Sequence, residues 1–274
     1  MIVFSWLWSL LAWPTAFLWL ILVWVACFVW SRFVPPHRFQ HTWPASAVSW
    51  ILYLSGSRLR LHYHPAYDPK RLGVYCQNHT SMMDGPVALA AIPVPFCGVE
   101  NRAHFRLPGY GWLMSLAGGI PVPKKAGGRL LGIMEVASRR VALGCSILAF
   151  PEGGRTIDGS VRPFHRGAFF LARHLGAPIV PVAVRGLRRV LPKGAFVLRP
   201  APIVDVYVGP QIETKRLSDE QLVRIAEGVR QMIIAYVERG EMLSHVSPAR
   251  WQVPEPSPAG LSAHAAAANE RAAD

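Results

Sequence analysis

The sequence predicts an α/β domain behind an apolar N-terminal element, and three observations carry that prediction. Apolar runs of strand length recur along the chain: Leu72–Cys76, Phe96–Val99, Ser146–Phe150 and Pro178–Val184. Segments with helical spacing, among them Leu130–Leu143 and Phe164–Leu175, fall between them, and this alternation suits a sheet covered by helices. Met1–Ser31 contains no charged side chain. At 274 residues and 51% hydrophobic content, the chain can form one large domain plus a membrane element. The expected division is 1–57 for apolar helices in or on a membrane, 58–246 for the α/β domain and 247–274 for a disordered Pro- and Ala-rich tail.

Taken in order, Met1–Ser31 places six Trp among Leu, Ile, Val, Phe and Ala. It lacks the basic start and small-residue cleavage site of a signal peptide. About 20 apolar residues suffice to cross a bilayer, so it is long enough. Pro14 leaves two arrangements open, a kinked span or a helix lying in the interface. Trp near both ends suits the headgroup zone, and Arg32, His37 and Arg38 mark the cytoplasmic side of an inner membrane. Trp43–Leu54 is a second apolar segment, short for a span, that pairs with the first to make a two-helix motif. Leu59, Leu61 and Tyr63 alternate as one apolar face of a strand, with His62 and His64 on the other. Tyr110–Ala117 and Leu130–Leu143 read as helices, the second ending at Gly144. Ile203–Val208 alternates as a strand. Ser218 and Gln221 form a capping box for a helix over Asp219–Arg239.

The formal charge of +13 comes from 29 Lys and Arg against 16 Asp and Glu, and implies an anionic partner. No helix-turn-helix, zinc-finger or RNA-binding signature is present, so the expected partners are anionic membrane lipids or a phosphorylated substrate, with no nucleic acid. Cys27, Cys76, Cys97 and Cys145 lie in apolar surroundings without metal-type spacing and read as reduced residues. No cofactor and no metal are expected.

The stretch Tyr75–Pro86 joins a strand-like run to an apolar segment entered through Pro86, which suits a first helical turn. His79 and Asp84 sit where the chain turns. In one continuous helix a five-residue separation would put them about 140° apart. They face each other only if His79 lies in the loop and Asp84 at the helix start. Asp84 can then fix the imidazole tautomer and leave the other ring nitrogen free as a base. The plainer alternative is that Asp84 is a helix N-cap and Asn78-His79 only a turn. Pro151-Glu152-Gly153-Gly154-Arg155-Thr156 follows a buried-type strand; its glycines permit close approach and Arg155 offers a planar fork to phosphate.

Together these segments resemble the glycerolipid acyltransferase family, which includes the 1-acyl-glycerol-3-phosphate acyltransferases. The resemblance covers roughly Leu72 to Val184. Asn78, His79, Ser81 and Asp84 meet the Asn-His-x-Ser-x-x-Asp block in full. Arg102, Pro108 and Gly111, with Gly118-x-Ile120-x-Val122-x-Lys124, meet a second block loosely. Phe150-Pro151-Glu152-Gly153-Gly154-Arg155 meets a third, with Gly154 where Thr is common, and Pro178-Ile179-Val180-Pro181-Val182 meets a fourth.

The resemblance implies a mixed sheet flanked by helices and acyl transfer from an acyl-CoA or acyl carrier protein thioester to the hydroxyl of lysophosphatidic acid. In that scheme His79 is the base and Asp84 orients it. Arg155, Lys124 and Arg102 hold the acceptor phosphate, while Glu152, Gly153 and Ser81 contact substrate or support the loop. The departures at Arg102, Lys124 and Gly154 fall in acceptor-binding blocks. Another acceptor, such as glycerol-3-phosphate, a different lysophospholipid or an acylated amino-acid lipid, therefore stays open. Outside acyl transfer, the alternatives are a metal-dependent membrane hydrolase using His62, His64, His79 and Asp84, and a non-catalytic binder of acidic lipid.

Overall fold

The computed structural model describes residues 2–34, 39, 43–123, 130–200 and 203–241. Among the described residues, seven strands form one sheet in the order β1-β7-β6-β2-β5-β3-β4. The strands are β1 (Arg58–Tyr63), β2 (Val74–Gln77), β3 (Phe96–Asn101), β4 (Ile120–Val122), β5 (Ser146–Ala149), β6 (Ile179–Arg185) and β7 (Ile203–Val208). From β6 to β4 all pairings are parallel. β7 runs antiparallel to β6 and parallel to β1. The mixed sheet flanked by helices is therefore as the sequence predicts.

Residue alternation on the central strand divides the core. Val74 and Cys76 join one apolar cluster and Tyr75, between them, joins the other. The first face is covered by α6 (Leu130–Ala142), α7 (Gly167–Leu175) and α9 (Asp219–Ile234), through Ala137, Phe169 and Leu222. The second is covered by α4 (Asp84–Ala91), through Val87 and Ala88, with α1 (Ile2–Trp30), α2 (Pro44–Ser49) and α3 (Ile51–Leu54) on the same side. Two further short helices are α5 (Tyr110–Leu116) and α8 (Leu187–Val190). None of the four cysteines forms a disulfide, and all four are buried.

Helix α1 is docked along the domain. Ala12, Ala16, Val23 and Cys27 form its buried stripe, and Ala12 belongs to the same core as Tyr75 and Leu148. Trp8 donates to Ser55 O, Trp13 to Phe196 O and Trp19 to Ala47 O. Near the other end Trp24 and Phe28 pack on Trp112. These three Trp N–H groups are thus satisfied by the domain's own carbonyls. The outer face keeps Phe4, Leu7, Leu11, Leu18, Leu22 and Val25 exposed. The segment 43–54 pairs with α1 as expected but forms two short helices.

Three local expectations are refined. The helix expected from Phe164 begins at Gly167, because the His165 N–H is drawn away to Pro151 O at 2.7 Å. The helix expected to reach Arg239 is α-helical to Ile234 and finishes in a π turn over Ala235–Arg239 that closes at Gly240. Its capping box is present in both halves. Leu61 and Tyr63 remain partly exposed because β1 is an edge strand. His37, Arg38 and the tail 247–274 lie outside the described residues.

Candidate active site

Strands β6, β2, β5, β3 and β4 run parallel and all end on one edge of the sheet. From β2 the chain crosses through α4 to β3 on one side; from β5 it crosses through α7 to β6 on the other side of β2. Adjacent strands whose connections diverge leave a crevice at their carboxyl ends, where ligands of such sheets bind. The loop carrying His79 and the loop carrying Glu152 flank this crevice.

The β2 loop brings the expected pair together. His79 Nδ1 lies 2.7 Å from Asp84 Oδ2. The same oxygen accepts the amides of Thr80 at 2.7 Å and Ser81 at 2.8 Å. Asp84 is fully buried in the first turn of α4, whose N-cap is Met83 without a side-chain capping bond. The N-cap alternative therefore fails: the carboxylate turns back to the preceding loop. A carboxylate accepts, so Nδ1 carries the proton and Nε2 keeps its lone pair. The ring stacks on Phe150, centroids 4.2 Å apart, and leaves 23% of its side chain exposed.

The main chain at His79 is held from both ends. Its N–H donates to Glu152 Oε1 at 2.7 Å, and its carbonyl accepts the Thr156 amide at 2.9 Å. Asn78, one residue earlier, makes two hydrogen bonds to the Val184 peptide groups, donating to the carbonyl at 3.0 Å and accepting from the amide at 2.7 Å, which ties the loop to β6. Glu152 is buried, and its second oxygen accepts the Arg162 amide at 3.0 Å. Burial pushes the Glu152 carboxyl above the usual range, while the amides of His79 and Arg162 and the Arg162 guanidinium pull it back. The Glu152 carboxylate thus anchors loop amides. Gly153 follows with φ +68°, and a Cβ there would meet His165 Cδ2 at 2.8 Å, so the turn requires glycine.

The other expected substrate contacts divide. Ser81 is fully buried and its hydroxyl donates to Leu191 O at 2.8 Å; it supports the loop and has no surface to offer a substrate. Arg155 is half-buried, its carbonyl accepts from Lys193 Nζ at 3.0 Å, and its guanidinium has no carboxylate partner among the described residues. Arg102 is exposed in a 3-10 turn at the same sheet edge, after β3, two strands from β2. Lys124 lies outside the described residues.

His62 and His64 do not join this site. β1 stands three strands from β2 and runs opposite to it, so its carboxyl end opens on the far edge. There His62 faces Asp205, and His64 accepts the Ala66 amide on Nδ1. The metal-dependent hydrolase alternative required those two histidines beside His79 and Asp84, and the strand order separates them.

Sequence reasoning missed Arg162. Its guanidinium donates to the carbonyls of Glu152 and Gly154. It lies in an irregular segment with no periodicity to single it out. Phe150 was legible only as a motif letter; its stacking on His79 needs two strands side by side.

With this geometry in hand, residues 59–185 match the family model described as Acyltransferase. The 1-acyl-sn-glycerol-3-phosphate acyltransferase of Limnanthes douglasii is 32% identical over 142 residues, 52% of this chain and 50% of that protein. A chloroplastic enzyme of the same name from Brassica napus is 31% identical over 122 residues, 44% of this chain and 35% of that one. The chain thus spans half or less of the length of these two relatives. The human 1-acyl-sn-glycerol-3-phosphate acyltransferase alpha is 28% identical over 185 residues, 67% of this chain and 65% of that one. Among solved structures, the 1-acyl-sn-glycerophosphate (LPA) acyltransferase PlsC from Thermotoga maritima has the same fold. It superposes with a TM-score of 0.70 at 18% identity, over 86% of this chain and 98% of that one.

Proposed function

We propose that this acyltransferase-family domain transfers a fatty acyl group from a thioester of coenzyme A or an acyl carrier protein to the hydroxyl of lysophosphatidic acid, giving phosphatidic acid. The observation that carries the reading is the 2.7 Å contact between His79 Nδ1 and buried Asp84. It leaves Nε2 as the base. Nε2 takes the proton of the acceptor hydroxyl as that oxygen attacks the thioester carbonyl. Asp84 holds the ring in one tautomer and stabilises the imidazolium that forms. The C–S bond then breaks, and the imidazolium returns the proton to the leaving thiolate. The acceptor oxygen is itself the nucleophile, so no serine is needed, which agrees with Ser81 being buried behind the loop. The Arg155 guanidinium has no carboxylate partner among the described residues and is the group we assign to the acceptor phosphate, with Lys124 and Arg102 as further cations.

The lipid substrate suggests how the chain meets a membrane. Because α1 is tied to the domain at Trp8, Trp13, Trp19 and Trp24, its exposed apolar face lies along the domain's side. We read it as an in-plane anchor that seats the domain on one leaflet, on the cytoplasmic side of the cell membrane, with anionic headgroups meeting the basic surface. The deciding experiment incubates purified full-length protein with acyl-CoA and lysophosphatidic acid, glycerol 3-phosphate or lysophosphatidylcholine, and identifies products by mass spectrometry. Acylation of lysophosphatidic acid, lost in His79→Ala, is expected. Acylation of another acceptor in its place overturns the assignment.

A further inference from the structure

Beside the His79 loop, on its β6 side, lies a cavity of about 500 Å³ whose lining includes Thr80, Arg185, Arg188 and Arg189 together with the acidic residues Asp158 and Glu238. Thr80 joins this cavity to the catalytic pair, since its amide is bound to Asp84. Its hydroxyl, in a residue only 5% exposed, has no partner among the described residues. A buried hydroxyl facing a cavity is a donor in want of an acceptor.

The arginines, of which Arg188 and Arg189 are exposed, also have donors to spare. None of the three forms an ion pair among the described residues. Among the described residues Arg188 bonds through Nε alone, to Ile157 O at 3.0 Å. Asp158 is engaged elsewhere: its Oδ1 accepts the Thr156 hydroxyl and both the amide and hydroxyl of Ser160. Gly186, at φ +92°, makes the turn that brings Arg188 and Arg189 back beside Arg185. The cavity has the volume of a small-molecule site, larger than one phosphate ion needs.

The cavity draws its lining from both faces of the sheet edge. Glu238 belongs to the π turn that ends α9, on the sheet face opposite α1. Arg188 and Arg189 sit on α8, whose Leu187 and Val190 join the core that Ala12 of α1 shares. With Arg155 assigned to the acceptor phosphate, these arginines are left for the phosphates of the other substrate.

We propose that this cavity receives the phosphate groups of the acyl donor's pantetheine carrier. The inference rests on the acyl-transfer reading and adds to it the residues that select the donor. The phosphodiester of phosphopantetheine is common to coenzyme A and to acyl carrier protein, and coenzyme A bears further phosphates.

The test compares the wild type with Arg188→Ala/Arg189→Ala and with the single charge reversal Arg189→Glu, which spares the Arg188 contact to Ile157. Steady-state KM is measured for acyl-CoA, acyl carrier protein thioester, acyl-pantetheine and lysophosphatidic acid. The KM for acyl-CoA should rise about tenfold or more, as for loss of charge-assisted bonds. The KM for phosphate-free acyl-pantetheine and for the acceptor should not move. A parallel rise for the carrier protein thioester assigns the shared phosphodiester; a rise for acyl-CoA alone assigns the nucleotide phosphates. An unchanged donor KM in a folded variant, an equal rise with acyl-pantetheine, or a rise confined to the acceptor overturns the proposal. Calorimetric titration with free coenzyme A needs no turnover and should show the same weakening. A wild type that binds coenzyme A through these arginines but acylates no lysolipid would sink the acyl-transfer reading and leave the cavity assignment standing.

Discussion

The His79 loop and the Arg155 loop leave neighbouring strands at the same edge, yet they are finished differently. In the first, almost every polar group is occupied: the Asn78 amide on Val184, the His79 main chain on Glu152 and Thr156, the Thr80 and Ser81 amides on Asp84, and the Ser81 hydroxyl on Leu191. In the second, the backbone is held by Arg162 and Lys193, but the Arg155 guanidinium has no carboxylate partner among the described residues. Proton transfer needs a base fixed to a fraction of an ångström, so its surroundings are satisfied in advance. Phosphate recognition needs donors that are not yet paired. Completeness of hydrogen bonding therefore separates the catalytic loop from the binding loop within one crevice.

The largest expected effect tests the fixed side. His79→Ala should lower kcat by about 10² to 10⁴ with the fold retained, measured as single-turnover acylation alongside circular dichroism. A folded variant at near wild-type rate would remove His79 from the chemistry. Asp84→Asn should cost about 10², because the amide competes for the wrong imidazole tautomer while Nε2 or Nδ1 still offers a weaker base. If the loss appears in KM and leaves kcat alone, Asp84 is not an orienting partner.

The open side should respond in KM. Arg155→Lys keeps the charge but loses the planar fork, so acceptor efficiency should fall about tenfold, with Arg155→Ala worse and donor KM little changed. A lysolipid lacking phosphate is the control. If it suffers as much as lysophosphatidic acid, Arg155 is holding the loop and the contrast between the two loops collapses.

The smallest effect concerns the carboxylate joining the loops. Burial raises the folded-state pKa of Glu152 above its unfolded value. Between those two values the folded state holds more protons, so this group makes stability fall as pH rises through the window; above both it has no further effect. Glu152→Gln should lose that slope. Urea unfolding across the acidic range should show wild type and variant diverging there and running parallel above it. Parallel curves throughout would mean that the amide bonds to Glu152 offset its burial completely.

The sequence by itself settled whatever is local. Strand-length apolar runs, the Ser218–Gln221 capping box, the turn after β2 and the placement of Asp84 at a helix start were all legible, because each depends on residues within a turn or two of one another. The family motifs also marked His79, Asp84, Glu152 and Arg155 before any fold was known. Only tertiary structure decided which of these meet. The Glu152 contact to the His79 amide joins residues 73 apart, and the Ser81 contact to Leu191 joins residues 110 apart. Strand order sent His62 and His64 to the opposite edge, although β1 looks in sequence as near to His79 as β3 does. Docking of α1 turned a segment long enough to span a membrane into one that shares the domain's core. Hydrophobic periodicity states that a face will be buried, but what buries it, and in which order strands lie, depends on the packing of the whole chain.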